Sequence, residues 1–145
     1  MAQLLAAGEE VYREFDAAEL ALANSGGAET LPAEFHEWLT DNNFAAEEQY
    51  MRALWADGIH VTGEPHDEMT DFIFADGVEL RPTTYMVVYA CGKEWGGITT
   101  DKEGTVRYEG QLTTYRRTLW FTKDGPDLQI KIEWLKDEWG QTCDI

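Results

Sequence analysis

The strongest constraint on this chain is a change of hydrophobic period near Gly58. Upstream, apolar residues recur at helical spacing. Downstream, they alternate or gather in β-prone blocks. Leu4, Ala7, Val11, Phe15, Ala18 and Leu22 form one stripe, which Asn24-Ser25-Gly26-Gly27 ends. A second, short helix is expected over residues 32–42, opened by Pro32, with Phe35, Trp38 and Leu39 as its apolar face. A third follows an Asn43 cap. Its first turn holds Phe44, Glu47 and Glu48, and its buried side holds Tyr50, Met51, Leu54 and Trp55.

Strands are expected at residues 59–62, 72–74, 83–91, 112–122 and 128–134. Gly92, Gly96-Gly97 and residues 101–104 read as loops or bulges, and residues 123–127 as a turn. Helices followed by a meander of strands give an α+β class, with the N-terminal helices packed on a mainly antiparallel sheet. No repeat or linker interrupts residues 1–145, which read as a single domain long enough to bury a core.

Charge narrows the partners. Lys plus Arg number 11 against 28 Asp plus Glu, a net −17. Phosphate and anionic lipid are bound through Lys and Arg, so neither a nucleic acid nor a membrane surface is expected as partner. A content of 43% hydrophobic and 12% aromatic residues is too apolar for a disordered chain. Cys91 and Cys143 match no zinc spacing and make no disulfide framework, so reduced thiols are expected. The acidic N-terminal residues Glu9, Glu10, Glu14 and Asp16, and the lack of an apolar run near ~20 residues, complete the expectation of a cytoplasmic protein.

Three stretches carry a family resemblance. Tyr50-Met51-Arg52-Ala53-Leu54-Trp55-Ala56-Asp57-Gly58-Ile59-His60-Val61-Thr62-Gly63 resembles the helix-to-strand junction of the NTF2-like superfamily, which includes SnoaL-like cyclases and ketosteroid isomerases. Tyr115-Arg116-Arg117-Thr118-Leu119-Trp120-Phe121-Thr122 and the closing strand that runs to Trp134 are similar to that superfamily's terminal hairpin. The resemblance implies a cone-shaped domain, a strongly bent sheet around helices, a pocket at the open end and a homodimer through the outer sheet face. In ketosteroid isomerases an aspartate base follows the Ala-Asp step, just before a proline. Counting from Ala56-Asp57, that position falls on Gly63 here. Glu64 stands beside it and takes the role only where a bulge turns it inward.

Candidate site residues follow from side-chain chemistry. His60, in the first strand, is a candidate general base or a half-buried strand residue with a satisfied ring. Tyr12, Phe15, Trp38, Trp55 and Tyr89 are candidate pocket walls or core. Strand parity puts Tyr115, Arg117, Leu119 and Phe121 on one face, the more apolar one. An inward Arg117 then needs a carboxylate, from a ligand or from Glu133 or Glu79. His66, Asp67, Glu68 and Asp71 read as a solvated acidic loop; no metal site and no cofactor is expected. Two functions stay open. One is a small-molecule-binding domain for an apolar or semi-polar ligand, with weak acid–base chemistry of the isomerase, cyclase or dehydratase type as an extension. The alternative is an acidic protein-interaction module, such as an immunity or inhibitor protein for a basic partner.

Overall fold

The computed structural model describes residues 2–124 and 129–143. It is α+β: two helices pack against curved antiparallel sheet. Helix α1 spans Ala2–Asn24 and α2 spans Asp41–Ala56. The strands are β1 (His60–Thr62), β2 (His66–Phe74), β3 (Met86–Trp95), β4 (Ile98–Thr100), β5 (Val106–Glu109), β6 (Leu112–Asp124) and β7 (Gln129–Trp139). They form a four-stranded sheet, β2-β3-β6-β7, and a three-stranded sheet, β1-β4-β5. No helix among the described residues is long and apolar enough to cross a membrane.

Helix α1 ends as its glycines require. Gly27, at φ 80°, donates its N–H to the Leu22 carbonyl at 3.0 Å, closing the last turn in a left-handed conformation. Residues 32–42 do not form the expected helix. Only a 3₁₀ turn, Ala33–Glu37, survives, because residues 38–40 pair with β7 instead. There Ile132 donates to the Trp38 carbonyl at 2.7 Å and Thr40 donates to the Ile132 carbonyl at 3.1 Å. Helix α2 accordingly starts at Asp41, ahead of Asn43, with Thr40 at its N-cap position.

Several strands differ from their expected limits. Strand β2 begins at His66, so the stretch read as an acidic loop is a strand, with a bulge between Met69 and Asp71. Gly96-Gly97 and residues 101–104 lie outside strands as expected, Gly92 falls inside β3, and two short strands that were not expected, β4 and β5, stand on either side of 101–104. Strand β7 continues past Trp134 to Trp139. Most of the turn expected at 123–127, from residue 125 onward, lies outside the described residues, as does residue 128.

The expected parity of β6 holds: Tyr115, Leu119 and Phe121 are buried. Cross-strand register then grades the inner face of the large sheet from apolar to polar. Phe121 lies opposite Met86 and Ile132, and Leu119 opposite Val88 and Leu135. At this end Phe15 of α1 and Phe35 meet edge to face at 6.2 Å and fill the core. Further along, Arg117 lies opposite Ala90 and Asp137, and Tyr115 opposite Gly92 and Trp139. The large apolar residues of the inner face stop at this level, where Arg117 and Tyr115 take their place.

The cysteines correct the sequence expectation. Cys91 and Cys143 form a disulfide with Cα atoms 5.8 Å apart, so the described thiols are not free. The premise of a reducing compartment falls with them, since disulfides persist mainly in oxidising ones. Ala90 faces the core, so Cys91 faces the outside of the sheet, and the bond ties the C-terminal tail to that outer face.

Candidate functional site

Where the apolar core stops, a cavity of about 1430 Å³ opens between α1, α2 and the sheets. Tyr12, Asp16 and Glu19 line it from α1, and Glu47 and Tyr50 from α2. Asp67 of β2, Glu94 of β3, Tyr115 and Arg117 of β6, and Asp137 of β7 extend its polar wall, and Arg81, Lys123 and Glu133 also line the cavity. Val61 and Thr99 line it from the smaller sheet. The helical contributions share one face, because Tyr12, Asp16 and Glu19 are four and three residues apart.

Arg117 organises this wall. Its guanidinium donates through Nε to Asp137 Oδ1 at 2.5 Å and through Nη1 to Glu19 Oε1 at 3.2 Å, with Asp16 at 3.7 Å. Burial alone would lower its pKa. Glu19, Tyr12 and Asp137 outweigh that and hold it well above the ordinary value. Glu133 and Glu79, the carboxylates expected to pair with it, do not. Glu133 accepts from the Thr83 and Thr84 hydroxyls, and the Glu79 backbone carbonyl accepts from Trp120.

The carboxyls outnumber the three cations of the wall, Arg81, Arg117 and Lys123, and their protonation shows it. Burial pushes Asp16 up to about 8, aided by a hydrogen bond to Asp67 and by that residue's charge. Burial pushes Glu47 up to about 10, aided in the same way by Glu19. Glu94, directly opposite Asp67 on the neighbouring strand, is raised by burial and by Asp67's charge. The Tyr115 hydroxyl donates to Asp67 at 2.7 Å, and burial raises its pKa and that of Tyr12 far above the phenolic range. Glu47 is 8% exposed, and its Oε1 has no hydrogen-bond partner. Such a group can bind a ligand donor or pass a proton, and Asp16 titrates close enough to neutrality to serve as acid or base.

The expected site residues divide. Tyr12 and Arg117 line the cavity. Phe15 and Trp38 are core, the latter 8% exposed and donating its indole N–H to Glu14 at 2.9 Å. Trp55 is exposed and lies outside the cavity wall. Tyr89 faces the other side of the sheet, where Arg116 stacks 4.7 Å above its ring. His60 is exposed on β1 and its neighbours Ile59 and Val61 line the cavity instead, because alternate strand residues face opposite ways. Glu64, at φ 53°, sits exposed in the turn after β1 and is also outside the wall. Among the described residues, no group of His, Cys, Asp or Glu is placed to hold a metal ion.

Sequence reasoning missed Asp16, Glu19, Glu47, Asp67, Glu94 and Asp137. A signal existed for two of them. Asp16 lies four residues after Tyr12, and Glu47 four residues before the buried Met51, so each shares its helix's inner stripe. Compared with protein families and with curated proteins, the chain matches no family model and no curated sequence.

Proposed function

We propose that this protein binds a small molecule in the cavity between its helices and its large sheet, as an NTF2-like domain, with acid–base chemistry supplied by carboxyls. The observation that carries the reading is the buried Glu47, its Oε1 without a hydrogen-bond partner, in the same cavity wall as Arg117. A polar group taken out of water without a partner costs free energy, and a ligand that hydrogen-bonds it recovers that cost. The volume is ample for a drug-sized molecule. Helices ahead of a curved antiparallel sheet are in keeping with an NTF2-like cone. Asp16 and Glu47 are the acid–base pair this reading favours, in place of His60 and Glu64.

The reading is tested with N-phenylnaphthylamine, a neutral apolar fluorophore that brightens on leaving water. Wild type enhances its emission saturably. Ala46→Trp, which places a bulky ring on the cavity wall, removes the enhancement while retaining the far-ultraviolet circular dichroism of the parent. Equal enhancement by both proteins, or none by either, contradicts the reading.

A further inference from the structure

The cavity wall holds more carboxyls than cations: besides Arg117 it has Arg81, which stacks on Trp134, and Lys123, which stacks on Tyr85. Arg117 is already shared between Asp137 and Glu19, with Asp16 beside it. Among the described residues, no ion pair joins Glu47, Asp67 or Glu94 of the wall to a cationic side chain. Glu47 is the informative member, more than nine-tenths buried and with Oε1 unpartnered. Once Glu47 gives up its proton it is an acceptor only, so what then completes it is a donor, and a charged donor binds best. The rings of Tyr50 and Trp139 also line the cavity, although each is about half exposed. Aromatic faces attract organic cations. The cavity exceeds what a single ion fills, and no described cluster has metal-holding geometry.

We propose that the cavity is selective for an organic ammonium ion, its N–H groups donating to Glu47 and its apolar body against the rings of Tyr50 and Trp139. This rests on the ligand-binding reading and deepens it by naming the class of ligand. The binding step is a proton exchange with no covalent change. The ammonium displaces the proton from Glu47, which leaves to buffer, and the positive charge stays in the cavity. Glu47 is faced by Tyr50 on its own helix, Glu19 from α1, Arg117 from β6 and Asp137 from β7. Of these, Arg117 alone is cationic, so a second cation lowers the net negative charge there.

The test is calorimetric titration with phenethylamine, phenethyl alcohol and phenylacetate, which share a phenyl ring and differ in charge. At about pH 9, where Glu47 gives up its proton at small cost, wild type binds the amine about tenfold more tightly than the alcohol, as a charged hydrogen bond allows, and binds phenylacetate least. Glu47→Gln lowers amine affinity by about tenfold and leaves the alcohol unchanged. In two buffers of different ionisation enthalpy, the amine's apparent heats differ by the release of protons. Alcohol binding equal to amine binding overturns the cation inference and leaves the cavity reading standing. Wild-type amine affinity in Glu47→Gln overturns it also. Failure of both compounds, together with failure of the fluorophore, overturns both.

Discussion

Arg117 on β6 and Glu19 on α1 stand 98 residues apart in sequence and meet at 3.2 Å. Their contact ties the first helix to the large sheet at the level where apolar packing gives way to the cavity. Removing one partner of a buried ion pair leaves the other charges uncompensated, which costs more than the pair itself contributes. Arg117→Ala is therefore expected to destabilise the fold by about 3–5 kcal/mol, read from urea unfolding. Arg117→Lys keeps the charge and loses the two-pronged geometry, so it falls between. A loss within experimental error for Arg117→Ala would remove the residue from its organising role.

Stability is expected to decline as pH rises. Asp16 and Glu47 keep protons in the folded protein up to about pH 8 and about pH 10. In the unfolded chain both lose them near the ordinary carboxylate values, about pH 4. Across that window the folded state binds more protons, so ∂ΔG/∂pH of unfolding is negative. The contribution is fully present below about pH 4 and is lost as pH climbs through the two folded values. Thermal melts between about pH 5 and pH 9 should show a falling Tm, with a shallower fall in Glu47→Gln. A Tm rising over that range in wild type would contradict the assignment.

The disulfide closes a separation of 52 residues between β3 and the C-terminal tail. Constraining the unfolded chain over such a loop is worth about 2–4 kcal/mol. Cys91→Ser combined with Cys143→Ser should lower the urea midpoint accordingly. Adding a reductant to wild type should reproduce the drop. Insensitivity of wild type to reductant at equilibrium would show that the pair carries no stability.

Gly92 lies in β3 where β2 bulges past it, and a Cβ there would run into the Glu68 backbone carbonyl. Backbone cannot swing aside as a side-chain end can, so Gly92→Ala should cost about 1–3 kcal/mol. Denaturant unfolding against the wild-type chain measures it, and a neutral substitution would mean that the bulge relaxes freely.

How much of this was legible depended on whether pattern or pairing decided the element. The inward face of β6, and Arg117 on it, followed from strand parity, because a period of two leaves a residue only two choices. Tyr12 was legible as an aromatic one turn from Phe15 on α1, a side chain that walls a pocket or fills a core. Asp67 was hidden because β2 opens with His66-Asp67-Glu68, whose polar run masks the alternation that buries Asp67, Met69 and Phe72 in part or whole. Long-range pairing with β3, not local preference, makes that stretch a strand. Residues 38–40 gave up helix for β7 on the same grounds. Asp137 lay beyond the expected end of the last strand. The exposed side of His60 was a parity error of one residue, with Ile59 and Val61 taking the inner positions. His60→Ala is accordingly expected to leave phenethylamine affinity unchanged in calorimetry, and a marked loss would return the histidine to the site.

The most direct measurement is amide chemical-shift mapping during titration with phenethylamine. The account predicts saturable shifts centred on Asp16, Glu19, Glu47, Tyr50 and Arg117, the residues of the cavity wall. Shifts confined to the outer face around Tyr89 and Arg116, or no saturable shift at all, would contradict it.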